Sequence, residues 1–330
     1  MAACPSGWYA VALSGDVRAG ERIHRNFAGR DVVIYRCASG RAVVSDAYCP
    51  HLGAHLGIHG RVAGEELACT FHGFRFDCNG ACVATGYGTK PPPAARLATR
   101  TVVERNGAIL VWHDASGAGP TWEVPALDWT GWLPQKSWFH EGLAAHAQDM
   151  TENSVDTGHF GHAHFFRDIE MAAPLALEGP SMTLHYRFKR PANPRTGAGI
   201  LFDVEAKITA WAIGVTIAEA KVADFGLHNR VLVYHTPTSD GRIDVWVITS
   251  IRPVERPERM NPVLGALPRR LVNALVAAQV HRYTTSDIQG DFPYLSNKRY
   301  LARPGLAEGD GPIGRFRSWA RQFYPEGQTP

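Results

Sequence analysis

Four residues in the first quarter of the chain have the types and spacing to hold a metal cluster. Cys49-Pro50-His51 is followed, after seventeen intervening residues, by Cys69-Thr70-Phe71-His72. Each short loop offers one thiolate and one imidazole. A [2Fe–2S] cluster with mixed ligands needs that inventory, two cysteines on one iron and two histidines on the other, and the imidazoles raise its reduction potential. Gly53 and Gly73 sit just past the two pairs, where a loop must turn tightly around a cluster. Their N–H groups could donate to the sulfurs. A structural zinc site is the competing reading, since Cys2His2 also suits Zn2+. Zinc sites usually pair Cys with Cys and His with His, whereas both loops here mix the types.

A second group lies in the run from Glu152 to His164, ENSVDTGHFGHAH. Two histidines and a carboxylate form the facial set of non-haem Fe(II) oxygenases, which leaves positions for O2 and substrate. His159 and His164 would point about 140° apart on a straight helix, so facing one metal requires a break. Gly158 and Gly161 could provide it. Asp156, three residues before His159, shares its helical face and could accept a hydrogen bond from that ring's far nitrogen. His162 lies between the two candidates and fits D-x2-H-x4-H less well. The third ligand is expected to be a carboxylate late in the chain, Asp287 or Asp291, with Pro293 ending the helix near Asp291.

Two kinds of element must position these residues. The first hundred or so residues read as short strands between turns: Asp31 to Tyr35, Ala42 to Ser45 and Gly107 to Trp112 are β-rich, and Lys90 to Pro93 is a loop. Asp114 to Pro120 reads as a linker, which divides the chain into residues 1–116 and 117–330. In the second part, Ala144 to Gly158 carries a helical pattern closed by glycine. Strands are expected over Met182 to Phe188, Ile200 to Trp211, Val231 to His235 and Arg242 to Ile251, with a turn at Ala192 to Gly199. Pro262 to about Gln289 is expected to be mostly helical, with an apolar face through Leu264, Leu267, Leu271 and Leu275. A long sheet framed by helices is an α+β arrangement.

Composition narrows the class. The 330 residues are 45% hydrophobic and 20% charged with a formal net charge of +3, a soluble globular profile. No basic block suggests nucleic acid, and no apolar run reaches the roughly 18 residues of a membrane span. The N-terminal MAACPSGWYAV lacks the pattern of a secretory signal, so a cytoplasmic protein is expected. The six cysteines, Cys4, Cys37, Cys49, Cys69, Cys78 and Cys82, are too few for a disulfide scaffold of this length. Cys78 and Cys82 read as ordinary thiols. No flavin or nicotinamide fingerprint follows a predicted strand, since the G-x-G-x-x-G run from Gly309 to Gly314 comes after a Pro- and Gly-containing stretch, so reducing equivalents should come from a separate protein.

The segments Cys49 to Gly53 and Cys69 to Asp77 (CTFHGFRFD) resemble the Rieske domain of ring-hydroxylating oxygenases. Respiratory Rieske proteins carry a disulfide at the positions of Ala54 and Phe71, so the likeness is to the oxygenase type. D-x2-H-x4-H at Asp156, His159 and His164 resembles the family's catalytic domain, a helix-grip, lipid-transfer-like fold. D-F-P-Y-x3-K from Asp291 to Lys298 resembles the segment with the ligand aspartate, which favours Asp291 over Asp287. The resemblance implies a [2Fe–2S] Rieske cluster on Cys49, His51, Cys69 and His72, and a mononuclear Fe(II) on His159, His164 and Asp291. Asp156 would link His159 to His72 of a neighbouring subunit, which implies a homotrimer. Some members carry an asparagine four residues before that aspartate. Here Glu152 holds the position and would share the face of Asp156 and His159, with Asn153 pointing elsewhere.

VDTGHFGHAHF and the ending Asp310 to Tyr324 are similar to the branch with 3-ketosteroid 9α-hydroxylase and cholesterol 7-desaturase. This implies O2-dependent hydroxylation or desaturation of a bulky apolar, steroid-like substrate, with electrons from a separate NAD(P)H-dependent ferredoxin reductase. An aromatic acid, or an O- or N-demethylation substrate, is the second expectation. Phe160, Phe165, Phe166, Trp211 and Trp246 are candidates to line the cavity, or else ordinary core. A Rieske electron carrier would not need the second metal group, and a helix-grip lipid-binding module would need neither.

Overall fold

The computed structural model describes residues 4–193, 196–239 and 241–328. They divide into two compact units. One is Ser6–Leu127 with residues 236–239, and the other is residues 4–5, Asp128–His235 and 241–328. Residues 118–127 pack on the first unit: Trp8 Nε1 donates to Trp122 O (2.9 Å), and Asn106 binds both Pro125 O and Leu127 N (2.9 Å each).

The first unit holds ten short strands: β1 (Gly7–Leu13), β2 (Arg22–Phe27), β3 (Arg30–Arg36), β4 (Ala42–Asp46), β5 (Gly60–Ala63), β6 (Glu66–Cys69), β7 (Arg75–Asp77), β8 (Cys82–Ala84), β9 (Val102–Arg105) and β10 (Ala108–His113). They form antiparallel sheets in the orders β1-β10-β9, β2-β3-β4 and β5-β6-β7-β8. Tyr35, Leu56, Leu67 and Phe76 form one core with Cys49 and Cys69, so the loops carrying the thiols are anchored by apolar burial.

The second unit is a seven-stranded antiparallel sheet with a long helix across it, the α+β class. Its strands are β11 (Lys136–Ala144), β12 (Arg167–Glu178), β13 (Ser181–Pro191), β14 (Leu201–Trp211), β15 (Val215–Val222), β16 (Leu227–Pro237) and β17 (Arg242–Ile251), in the order β11-β17-β16-β15-β14-β13-β12. Residues 208–220, a mostly apolar run, are the end of β14, a turn and most of β15. The helices that matter for the site are α1 (Ala147–Glu152), α2 (Thr157–Ala163), α3 (Arg269–Asn297) and α4 (Ile313–Ala320). Val272, Val276 and Ala277 of α3 pack with Val204, Val222, Phe225 and Leu227 of the sheet side. Among the described residues no helix is long and apolar enough to cross a membrane.

Three expected elements differ. The helix expected over Ala144 to Gly158 is the end of β11 followed by two short helices, and Gly158 lies inside the second rather than closing the first. Asp156 explains the restart, because its carboxylate accepts from His159 N (3.2 Å) as the N-cap of α2. The helix expected from Pro262 is likewise two pieces. A four-residue turn, Pro262–Gly265, ends before Pro268, and α3 begins at Arg269. Pro293 does not end α3, which runs four residues further to Asn297. Of the turn expected at Ala192 to Gly199, Pro194 and Arg195 lie outside the described residues; Asn193 N donates to Ala198 O at 3.0 Å.

Candidate metal centres

The two cysteine–histidine loops are built alike. Cys49 N donates to Ala54 O (2.9 Å) and Gly53 N to Cys49 O (2.9 Å); Cys69 N donates to Phe74 O (2.8 Å) and Gly73 N to Cys69 O (2.9 Å). Gly53 and Gly73 have φ of +76° and +67°, a region that side chains disfavour. Both thiols are buried. The Cys49 thiol is pushed up to about 11, by burial first and by Cys69 beside it. The His51 and His72 rings stand 4.7 Å apart, and His51 stacks on Phe74 at 4.2 Å.

The donors therefore pair by type across the loops, sulfur with sulfur and imidazole with imidazole. Among the described residues, these four are not one of the groups whose ligand atoms fall within 4.8 Å of one another. Two adjacent donor pairs suit a two-iron cluster, whereas a single tetrahedral zinc needs all four donors on one point. Bound iron would also stabilise the Cys49 thiolate, which burial alone disfavours.

A third loop supports the site, and the sequence did not signal it. Gly86 N donates to His72 O (3.1 Å), and a Cβ on Gly73 would lie 2.7 Å from Gly86 Cα. The only hint was the glycine in ATGYGT. Leu52, Phe71 and Tyr87 are 68%, 64% and 60% exposed around the two half-buried imidazoles. Elsewhere in this unit Cys37, Glu65 and Cys78 also place donor atoms within 4.8 Å, and Cys78 Sγ lies 3.3 Å from Glu65 O. Burial and Cys78 push the Cys37 thiol up to about 12, so it is protonated at neutral pH.

In the second unit His159, His164 and Asp291 place their ligand atoms within 4.8 Å of one another, and His164 Nε2 lies 3.2 Å from Asp291 Oδ1. Adjacent ligands of an octahedral ion with bonds of about 2.1 Å stand about 3 Å apart, so this spacing suits a metal. The break that lets both histidines converge is not at Gly158 or Gly161. It comes at His164, the C-cap of α2 (φ −115°, ψ 0°), followed by Phe165 at φ +59°. His162 stays on the helix and is exposed. The carboxylate of Asp287 is turned to Arg190 (2.7 Å), not to the histidines.

Asp156 contacts His159 differently from the expected carboxylate–imidazole bond. His159 Nδ1 lies 2.6 Å from Asp156 O and 3.6 Å from Asp156 Oδ2. A carbonyl only accepts, so Nδ1 carries the proton and Nε2 is left with its lone pair for a metal. The carboxylate meanwhile caps α2. Glu152 also differs from expectation. Its buried carboxylate forms a bidentate pair with Arg317 of α4 (2.7 and 2.8 Å), so it does not face the histidines. Asn153, the C-cap of α1, does line the cavity beside them. Gly158 instead lies close to two carboxylates: a Cβ there would lie 3.3 Å from Asp310 Oδ1 and 3.4 Å from Asp156 Oδ1.

The triad opens on a cavity of about 150 Å³. An apolar cavity of about 410 Å³ lies along the same helix and sheet, walled by Phe188, Phe202, Phe225, Val276, Val280 and Tyr283. Of the five aromatic residues expected to line a cavity, Phe160 lines the smaller one. Trp246 is buried against Phe139 (4.8 Å), Phe166 stacks on Phe188 (4.5 Å), Phe165 is exposed, and Trp211 ends β14 opposite Ser181. Which aromatic faces inward follows from strand alternation, which composition does not reveal.

Residues 7–98 match the Rieske [2Fe-2S] domain family, and residues 111–324 match the 3-ketosteroid 9alpha-hydroxylase C-terminal domain. The cholesterol 7-desaturase of Bombyx mori is 30% identical, over 98% of this chain and 70% of its own length. A 3-ketosteroid-9-alpha-monooxygenase oxygenase component of Rhodococcus rhodochrous is 25% identical, over 96% of this chain and 83% of its own. Among solved structures, dicamba monooxygenase bound to dicamba superposes with a TM-score of 0.67 at 19% identity, covering 96% of each chain. Pseudomonas putida NdmA with theobromine gives 0.69 at 16% identity, covering 95% of this chain and 89% of the other. These two likenesses show the fold alone.

Proposed function

The chain belongs to the Rieske oxygenases with a 3-ketosteroid 9alpha-hydroxylase C-terminal domain, and from that premise we propose that it hydroxylates or desaturates a bulky, apolar, steroid-like substrate. The observation that carries this reading is the two-histidine, one-carboxylate group beside an apolar cavity of about 410 Å³ on one helix–sheet surface. A sterol-sized molecule needs such a space, mostly apolar with few polar groups.

Cys49 and Cys69 would hold one iron of the cluster, His51 and His72 the other, and His159, His164 and Asp291 the mononuclear iron. When bound, the cluster supplies single electrons and the mononuclear iron supplies open positions for O2. The protein's own residues then do three things. The Asp156 carbonyl fixes the His159 ring and its tautomer. Burial of His164 and the apolar walls exclude water from the substrate face. The Asp156 carboxylate, one-third exposed, remains within reach of a group from outside the chain.

That outside group is proposed to be His72 of a second copy, in a homotrimer. Leu52, Phe71 and Tyr87 favour this partner, since exposed apolar side chains around two imidazoles suit burial against protein. The relatives named as oxygenase components support a separate NAD(P)H-dependent ferredoxin reductase.

The test is anaerobic purification, then iron, acid-labile sulfide and the EPR spectrum of the reduced protein. About three irons and two sulfides per chain with a rhombic cluster signal are expected. Substrate-dependent O2 uptake with sterols and 3-oxosteroids should follow. Zinc in place of iron, with no reduced-state signal, would overturn the reading.

A further inference from the structure

We propose that Arg190, held by Asp287, orients the substrate by donating to a neutral oxygen acceptor, a carbonyl or hydroxyl, on an otherwise apolar molecule. This rests on the steroid-like reading above and narrows it.

The two cavities lie along one helix–sheet surface. On α3, Val276, Val280 and Tyr283 wall the larger cavity, and Ile288 and Asp291 wall the smaller. On the sheet, alternate residues of one face do the same. Phe202 and Val204 of β14 line the larger cavity and Ile208 the smaller; Ala220 and Val222 of β15 line the larger and Thr216 the smaller. The strands keep regular register through this region, so these residues share a face. Asp287 stands on α3 between the two sets.

Its partner is Arg190, 2.7 Å away. The guanidinium lies over the rings of Phe166 (5.4 Å) and Tyr283 (6.0 Å) and itself lines the larger cavity. An ion pair between apolar walls adds little stability, because desolvating both charges offsets their attraction. Burial raises the pKa of Asp287 in spite of Arg190 and His164. What the pair does provide is a fixed, flat set of donors. Guanidinium has five N–H groups, and one carboxylate satisfies at most two of them. Nη2, although close to Asp287, makes no hydrogen bond of normal geometry.

The local charge selects the ligand class. Arg190 and Asp287 neutralise each other, so the pair offers no free counter-charge. A carboxylate or sulfate on the substrate would be desolvated between apolar walls without compensation. A pure hydrocarbon would leave buried donors unpaired, which sites of this kind reject strongly. A neutral acceptor satisfies both conditions. Anchored there, it fixes which carbon enters the smaller cavity beside His159, His164 and Asp291.

The experiment measures anaerobic binding to the iron-loaded, cluster-loaded protein by equilibrium dialysis. The probes are a 4-en-3-one steroid, the same skeleton without the oxygen, and the same skeleton as a 3-sulfate. The wild type should bind the ketone at least about tenfold more tightly than the hydrocarbon. Arg190→Met/Asp287→Asn removes both charges together, so no lone buried charge remains. It should bring that ratio to about one, by weakening ketone binding and no longer penalising the hydrocarbon, with iron content unchanged. A loss of folding would lower both affinities and leave the ratio alone.

A double variant that keeps the wild-type ratio with neither affinity lowered overturns the role of Arg190. So does a wild type that binds ketone and hydrocarbon equally, though the steroid-like reading would survive. Tightest binding of the sulfate overturns the neutral class. A wild type that binds none of the three overturns this inference and the steroid-like reading together.

Discussion

The cluster loops and the histidine–carboxylate triad hold their donors by different means. The loops are local and repeated: residues 49–54 and 69–74 close with the same pair of backbone hydrogen bonds and the same left-handed glycine. The triad is long-range. Two donors come from the first turn and the C-cap of a seven-residue helix, and the third comes from α3 more than a hundred residues later. The first site is specified by short segments that adopt one conformation. The second exists only when the sheet and α3 are packed, so its geometry depends on distant contacts such as Glu152 with Arg317.

The largest expected effects would break this contrast if it is wrong. Asp291→Ala should lower iron from about three to about two per chain, leave sulfide and the cluster EPR signal intact, and abolish turnover. Cys69→Ser should remove the cluster and leave about one iron. Loss of the cluster in Asp291→Ala would show that the two sites are not independently specified.

The dependence of the triad on distant packing can be sharpened at Arg317. Arg317→Met leaves the carboxylate of Glu152 buried without its bidentate partner, and Lys298 at 3.9 Å is a poor substitute. A loss of about 3 kcal/mol is expected from chemical denaturation. Because α1 and α2 carry the histidine segment, iron retention during dialysis against a chelator should fall too, while sulfide stays constant. An equal loss of sulfide would contradict a local effect.

A smaller effect separates the two roles of Asp156. Its carbonyl holds the ring of His159 and its carboxylate caps α2. Asp156→Asn keeps the carbonyl and a capping oxygen. Iron and sulfide should therefore be unchanged, while turnover falls about 10–100-fold. Loss of iron in this variant would mean that the carboxylate, not the carbonyl, sets the histidine.

How much of this was legible in the sequence follows the same division. C-P-H and C-T-F-H declare their chemistry within a few residues, and so does D-x2-H-x4-H. Strand runs such as Arg242 to Ile251 are clear because both faces are buried and Val245 to Ile248 is a continuous run of large apolar residues. Less legible were features set by contacts between segments. The C-cap that turns His164 toward His159, the approach of Gly86 to Gly73, and the presence of Asn153 at the cavity all depend on where chain segments stop or meet. Composition and periodicity carry no record of that. Which aromatics line the cavity was left open for the same reason, since Phe188 and Phe202 face inward only by virtue of strand register.

Helix α3 supplies the smallest effect and the sharpest case of a misleading period. Leu264, Leu267, Leu271 and Leu275 follow a helical spacing, but Pro268 is the N-cap of α3, so the first two leucines belong to a separate turn with its own phase. The buried stripe runs instead through Val272, Val276, Phe292 and Leu295, with Leu271 and Leu275 left 46% and 49% exposed. Leu271→Ala should change stability by less than about 0.5 kcal/mol, since it removes surface that water already reaches. Val272→Ala, one residue on, should cost about 2 kcal/mol, because its methyl groups pack among Val204, Phe225 and Leu227. Paired thermal melts distinguish the two stripes. Equal losses would restore the leucine face as part of the core, and the reverse order would mean that α3 is rotated about its axis, which would also move Asp287 and Asp291 off the face that meets the triad.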